Sequence, residues 1–188
     1  MTAMYAALLR GVNVGGAKRL PMPVLREILT DLGHGSVRTH LNSGNAVFAG
    51  DADGGDGEDA EGALAAGIED AIERRLGFRV ACLVRGGAYL RAVHDACPFP
   101  AGESAGRHLH AVFGSGPLTA ERFASVDPAA YRPEEFRIGD RVLYLYAPDG
   151  LGVSRLAPAL QRPALLKGVE VTSRNWNTVR ALVELTGS

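Results

Sequence analysis

The chain has little cysteine and no long apolar run. Its two cysteines, Cys82 and Cys97, are too few for a disulfide framework or a four-cysteine metal site. No apolar stretch approaches the roughly 18 residues that a membrane-spanning helix needs, and the N-terminus lacks the charged start and apolar core of a signal peptide. We therefore expect a cytoplasmic protein without a membrane partner.

Lysine is also scarce, and neither sign of charge dominates. Lys18 and Lys167 are the only lysines, so arginine carries nearly all the positive charge, and the formal net charge is -1. This balance argues against a chain-wide electrostatic surface for nucleic acid. Because 46% of the 188 residues are hydrophobic, the chain is able to bury a full core, in one domain or in two small ones.

The apolar patterns and turns follow the same order twice. The first half predicts strand, helix, two strands, helix and strand, at residues 4–9, 23–32, 37–41, 46–49, 63–76 and 79–84. After a helix at 88–96, the order recurs at 109–113, 120–125, 135–138, 142–146, 155–160 and 169–172, with a closing helix to 185. The βαββαβ order is typical of the ferredoxin-like fold. We predict an α+β protein with two ferredoxin-like subdomains and extra helices, divided as 1–85, a helical connection at 86–106, and 107–188.

The only Trp lies in the polar run 172–178, between Asn175 and Asn177 and close to Arg174. An apolar strand pattern gives way here to a helical one, and Asn, Ser and Thr cap the exposed N–H groups at such junctions. The run is either a capped helix start whose Trp176 packs inward, or a polar and cationic site for an anionic or planar ligand.

A second polar segment, residues 10–19, follows the first predicted strand and contains Gly11, Gly15 and Gly16. It is not a Walker loop, which would require Lys directly after Gly16, where this chain has Ala17. The glycine spacing does not fit the dinucleotide motif either. The segment is either a cationic loop that presents N–H groups to an anion or a long turn that needs Gly for its backbone angles.

The predicted strand order brings polar segments together at the ends of the sheets. In a βαββαβ unit the first two strands run parallel, so the loop 10–19 and the hairpin turn 42–45 leave the sheet at the same end. In the second subdomain the loop 149–155 and residues 173–175 share an end. If the two ends face each other, they form one cleft.

From these segments we predict a protein that binds a small phosphate- or carboxylate-bearing ligand between its subdomains. The sequence identifies neither a reaction nor a cofactor, and it predicts no metal site. One alternative is an RNA- or DNA-binding protein with Tyr5, Phe48 or Trp176 as stacking platforms, and another is an interaction module without catalysis. The predicted ligand-binding residues offer a polar side chain or a glycine backbone: Arg10, Asn13, Gly15, Gly16, Lys18, Asn42, Ser43, Asn45, Ser154, Arg155, Ser173, Arg174, Asn175, Trp176 and Asn177.

Other chemistries have weaker signals. His108 and His110 alternate on a predicted strand, but no third ligand at a recognisable spacing accompanies them, so we expect an exposed sheet face. His94 lies near Cys97 without an orienting group for a Cys–His nucleophile. The acidic run 51–59 lacks the ligand at the twelfth position of a calcium loop, and we expect a mobile acidic loop instead.

The motifs at both ends of the chain point to one family. Residues 7–16, residues 37–48 with Asn42-Ser43-Gly44-Asn45, and residues 172–179 closely resemble the bacterial domain-of-unknown-function family number 1697, nearly end to end. The resemblance implies two ferredoxin-like subdomains and supplies no reaction. Many members have Ser-Lys where this chain has Ser154-Arg155. Arginine keeps the charge but lacks a titratable amine, so a nucleophilic lysine is absent at that position.

Overall fold

The computed structural model describes residues 2–16, 18–51, 57–100, 102 and 106–187. The chain divides into two compact units, one of Met1–Arg91 with Leu182–Ser188 and one of Ala92–Ala181. The middle of the acidic run, residues 52–56, lies outside the described residues. Within the described part of the chain, no helix combines the length and the apolar character needed to cross a bilayer.

The structure is mixed α/β, with two four-stranded antiparallel sheets and, in the described part, five α-helices. The first half of the chain forms β1 (Thr2–Leu9), α1 (Met22–Asp31), β2 (Gly35–His40), β3 (Asn45–Asp51), α2 (Glu58–Leu76), β4 (Cys82–Gly86) and α3 (Gly87–Asp95). The second half forms β5 (Leu109–Gly114), β6 (Glu135–Gly139), β7 (Val142–Tyr146), α4 (Leu156–Leu160), β8 (Val171–Asn175) and α5 (Trp176–Thr186). The strand orders are β2-β3-β1-β4 and β6-β7-β5-β8.

The core of the first unit lies between its sheet and the helices α1 and α2. Alternate β1 residues point toward one face because side chains alternate along a strand, and Tyr5 on that face stacks on Phe48 with ring centroids 5.9 Å apart. Helix α1 buries Leu25, Ile28 and Leu29, the spacing of a single apolar helix face. Both aromatic rings therefore pack inside the core of the first unit.

A separate core fills the second unit. Val112 of β5, Leu143 of β7 and Val171 of β8 share one sheet face, and the buried Leu156 and Leu160 of α4 pack against it. Burial of this apolar surface is the main stabilising contribution, at about 25 cal/mol per Å² removed from water.

Several element bounds differ from the predicted ones. Helix α2 begins at Glu58 rather than at residue 63, since three acidic residues in its first turn favour the positive end of the helix dipole without adding to the apolar pattern. Residues 120–125 form only a short 3-10 helix at Ala120–Phe123. The last strand is shifted to Val171–Asn175 because its pairing with β5 continues to Asn175, which lies opposite His110.

Candidate functional site

The glycine-rich loop after β1 and the hairpin turn between β2 and β3 are in direct contact. The N–H of Leu9 donates to the carbonyl of Gly44 at 2.8 Å, and Nδ2 of Asn13 donates to the carbonyl of Asn42, also at 2.8 Å. Gly44 is required at this approach, because its φ is +83° and a Cβ would lie 2.5 Å from Cγ2 of Val12. The expected proximity of the two segments is confirmed.

Asn13 organises the loop through both ends of its side-chain amide. It has a positive φ of 57°, which Asn tolerates better than most residues. Its Nδ2 also donates to the carbonyl of Leu20 at 2.8 Å, and its Oδ1 accepts the N–H of Leu20 at 2.9 Å. The amide therefore closes the loop on itself, which gives Asn13 a structural role.

A cleft of about 480 Å³ opens beside this loop, and the described residues that line it are Asn13, Gly16, Lys18, Arg19, Pro21 and Asn42. Two of these side chains are cationic and none is acidic. The Lys18 ammonium is oriented by a 2.7 Å hydrogen bond to the carbonyl of Arg79. Arg19 is exposed and makes no hydrogen bond or ion pair with another described residue.

The backbone of the loop adds donors to the cleft. Gly15 and Gly16 have φ values of +67° and +79°, and their N–H groups have no acceptor among the described residues. Successive backbone N–H groups in a turn are one of the arrangements by which proteins bind anions. The cleft thus combines positive side chains with uncommitted backbone donors.

The other predicted residues of the first unit lie in the hairpin turn or at the start of the glycine-rich loop. Asn45 is fully buried, and its Nδ2 donates to the carbonyl of His40 at 3.1 Å and to Oγ of Ser43 at 3.0 Å. Arg10 is exposed at the start of the loop, and its N–H donates to the carbonyl of Ala81 at 2.9 Å. Asn45 and Ser43 therefore stabilise the turn on which Asn42 is presented.

Ser154 and Arg155 already bind an anion of the protein itself, the carboxylate of Glu134. The Ser154 hydroxyl donates to Oε2 of Glu134, and the N–H groups of Arg155 and Leu156 donate to the same carboxylate at 2.9 Å and 3.3 Å. Partial burial acts to raise the pKa of Glu134, but these hydrogen bonds and the Arg155 charge hold that pKa below its usual range. The carboxylate thus engages the Ser154 hydroxyl and two backbone N–H groups, while the Arg155 guanidinium makes no hydrogen bond to it.

The loop that carries Ser154 and Arg155 follows β7, which ends at the same end of the second sheet as β8. Tyr146, the last residue of β7, lies opposite Leu109, and Asn175, the last residue of β8, lies opposite His110. The loop 149–155 and residues 173–175 therefore follow strand ends at one end of this sheet, as the sequence predicts.

The run 172–178 is a strand end followed by a capped helix. Oδ1 of Asn175 accepts the N–H of Thr178 at 2.9 Å, which caps α5. Arg174 is only 8% exposed, and its Nη1 donates to Oγ1 of Thr172 and to the carbonyl of Ser173, both at 2.8 Å. The capped-helix interpretation is confirmed, and Arg174 is held by its own strand.

Trp176 is fully buried, and its ring stacks on the His94 ring at a centroid distance of 5.7 Å. Neither its indole nitrogen nor Oγ of Ser173 has a hydrogen-bond partner among the described residues. Asn177, in contrast, is exposed. Complete burial removes the Trp176 ring from contact with a ligand at the surface.

The expectation that His108 and His110 lie on an exposed sheet face is wrong for His110, which is 6% exposed. Burial lowers the pKa of His110 because the charged imidazolium loses its hydration. Burial also raises the pKa of the Cys97 thiol, the opposite of what an activated nucleophile needs. The described residues contain no group of three or more His, Cys, Asp or Glu side chains able to hold a metal ion.

Sequence reasoning missed Arg19 and Glu134. Arg19 adjoins Lys18 in the same loop, so its charge was a usable signal for the cleft. Glu134 lies twenty residues before Ser154 in the chain, and no local pattern connects the two.

The chain is similar to a conserved bacterial protein, SP0830 from Streptococcus pneumoniae, with a TM-score of 0.75 and 21% identity over 99% of each chain. At that identity the similarity shows the fold alone. No curated protein matches the chain. Residues 1–144 match the model of a family described as "Protein of unknown function (DUF1697)", and the chain belongs to this family.

Proposed function

We propose that this protein binds a small phosphate- or carboxylate-bearing molecule, and that the cleft beside the glycine-rich loop is the binding site. The observation that carries the proposal is the composition of the cleft, which has two cationic side chains and no acidic one among its described lining residues. A cleft without a compensating carboxylate favours an anion in Coulombic terms.

The donor groups suit an oxyanion. The guanidinium of Arg19 presents paired N–H donors that match carboxylate and phosphate oxygens. The N–H groups of Gly15 and Gly16 lack protein acceptors within the described chain, and the hydrogen-bonded Lys18 supplies an oriented positive charge. The cleft volume of about 480 Å³ lies within the range of small-molecule sites, about 300–1,000 Å³.

We further propose that both units have the ferredoxin-like topology and that the protein is cytoplasmic. The antiparallel strand orders β2-β3-β1-β4 and β6-β7-β5-β8 support the first statement. Two free cysteines, Cys82 and Cys97, support the second, since thiols persist in reducing compartments. The domain bounds 1–85, 86–106 and 107–188 remain predictions, as does the role in binding of the predicted residues outside this cleft.

The binding site is tested with the variant Arg19→Ala. Isothermal titration calorimetry against inorganic phosphate, methyl phosphate, nucleotides, phosphosugars and small dicarboxylates identifies which anion the wild type binds. We expect Arg19→Ala to weaken that binding by roughly 10–100-fold, the loss of one charge-assisted contact of about 1.5–3 kcal/mol.

The matched control is Arg91→Ala, because Arg91 is also exposed in the described structure but does not line the cleft. It should leave the affinity unchanged. Equal affinities in all three proteins, or no measurable binding of any anion by the wild type, would reject this site.

A further inference from the structure

Two large aliphatic side chains are exposed beside the proposed anion site. Val14 is 69% exposed and Leu41 is 57% exposed. Val14 directly follows Asn13 and Leu41 directly precedes Asn42, and both of these asparagines line the cleft. Val14 and Leu41 are therefore each one residue from a position that lines the cleft, and the 2.8 Å hydrogen bond from Nδ2 of Asn13 to the carbonyl of Asn42 joins their two segments.

The backbone at Leu41 gives a second reason to regard these two segments as functional. Leu41 has a φ of +58°, a left-handed conformation that Gly and Asn adopt at much lower cost than a side chain such as Leu. Because its side chain is exposed, core packing does not offset the cost of this backbone conformation. Strained residues of this kind concentrate at ligand-binding positions.

We propose that the ligand carries an apolar group joined to its anionic group. This inference rests on the proposed function. Lys18, Arg19 and the glycine N–H groups bind the anion, and Val14 and Leu41 contact the apolar part. The occupant is a free small molecule rather than a membrane lipid, because the cleft volume of about 480 Å³ suits a compact ligand.

A series of methyl, butyl and hexyl phosphate, titrated by calorimetry below the concentrations at which they aggregate, tests this inference. All three share the anion and differ only in apolar length. The wild type should bind more tightly along the series, by about fourfold for each methylene that is removed from water.

The double variant Val14→Thr, Leu41→Asn keeps the approximate shape of both side chains and introduces a residue that tolerates the backbone at 41. It should bind methyl phosphate like the wild type and lose most of the gain along the series. Val153→Thr is the matched control, since Val153 is also 69% exposed and lies in the other unit. It should retain the full gain.

The two proposals fail in different ways. If the wild type binds methyl phosphate and Arg19→Ala weakens that binding, but chain length has no effect, only the apolar inference is overturned. An equal gain in the wild type and the double variant overturns it too. If no ester binds, or if Arg19→Ala binds like the wild type, the anion site itself is rejected. Binding to anionic phospholipid vesicles without binding to soluble esters overturns the small-molecule assignment.

Discussion

Glu134 shows how a residue of the protein itself binds hydrogen-bond donors that a sequence motif suggests for a ligand. Its carboxylate accepts hydrogen bonds from the Ser154 hydroxyl and from the N–H groups of Arg155 and Leu156. The Arg155 side chain also donates to the carbonyl of Ala130 at 3.2 Å. These contacts give the Ser-Arg pair a structural role at the start of α4.

We predict that Glu134→Gln destabilises the protein by about 1–2 kcal/mol near neutral pH, because a side-chain amide group would face N–H donors in place of one carboxylate oxygen. The folded-state pKa of Glu134 lies below its usual value of 4.5. Its contribution to stability is therefore present above that pH and is lost as the pH falls through the folded-state pKa.

Urea unfolding of both proteins at roughly pH 7 and roughly pH 3.5 measures this contribution. The difference in unfolding free energy between wild type and variant should shrink at the lower pH. Glu184→Gln is the control, since Glu184 is exposed and its side-chain carboxylate makes no hydrogen bond or ion pair with another described residue. A pH-independent difference would contradict the assigned role.

At the scale of elements, the junction between β8 and α5 depends on a single cap. Asn175 ends the strand and accepts the N–H of Thr178, so one side chain supports the change from strand to helix. The adjoining Trp176 begins the helix and is fully buried. The cap therefore lies directly beside a buried aromatic side chain.

We predict that Asn175→Ala lowers the unfolding free energy by about 1 kcal/mol, which is the usual value of such a cap. For a chain of this length, that change corresponds to a lower Tm by about 2–4 °C in a circular dichroism melt. Asn175→Ser and Asn175→Asp should recover most of the loss, because both side chains are capping residues.

Asn177→Ala serves as the comparison for this cap. Asn177 is exposed in the first turn of α5, and the change should alter the stability by no more than about 0.5 kcal/mol. If Asn175→Ala and Asn177→Ala shift the Tm equally, the cap is not the cause.

At the scale of the whole molecule, charge balance and aromatic burial both disfavour nucleic acid. The formal net charge is -1. Tyr5 is 3% exposed, while Phe48 and Trp176 are fully buried, so none of the three suggested stacking platforms presents its ring to solvent. Stacking on exposed aromatic rings is a main source of affinity for single strands.

We therefore predict no saturable binding of a fluorescently labelled single-stranded oligonucleotide at about 0.15 M salt. Any rise in anisotropy at low salt should disappear as the salt increases, because only phosphate contacts at exposed cations would remain. Saturable binding that persists at the higher salt would favour the nucleic-acid alternative over the small-molecule proposal.

Much of this protein is determined locally, by the sequence alone. The order of strands and helices follows from apolar spacing, as in the buried face of α1. The Asn175 cap follows from the residue type at a helix start, and the contact between the glycine loop and the 42–45 turn follows from the strand order. Caps, turns and periodic faces depend on residues a few positions apart or on strand order.

Contacts between segments distant in the chain determine which polar residues remain available to a ligand. Arg174 is buried, and its side chain donates to Thr172 and to the carbonyl of Ser173. The Ser154 hydroxyl donates to Glu134, which lies twenty residues earlier in the chain. Arg19 stays exposed beside a cleft, although its chemistry in the sequence equals that of Arg174. Solvent access and partner choice depend on contacts between residues far apart in the chain, which no local pattern encodes.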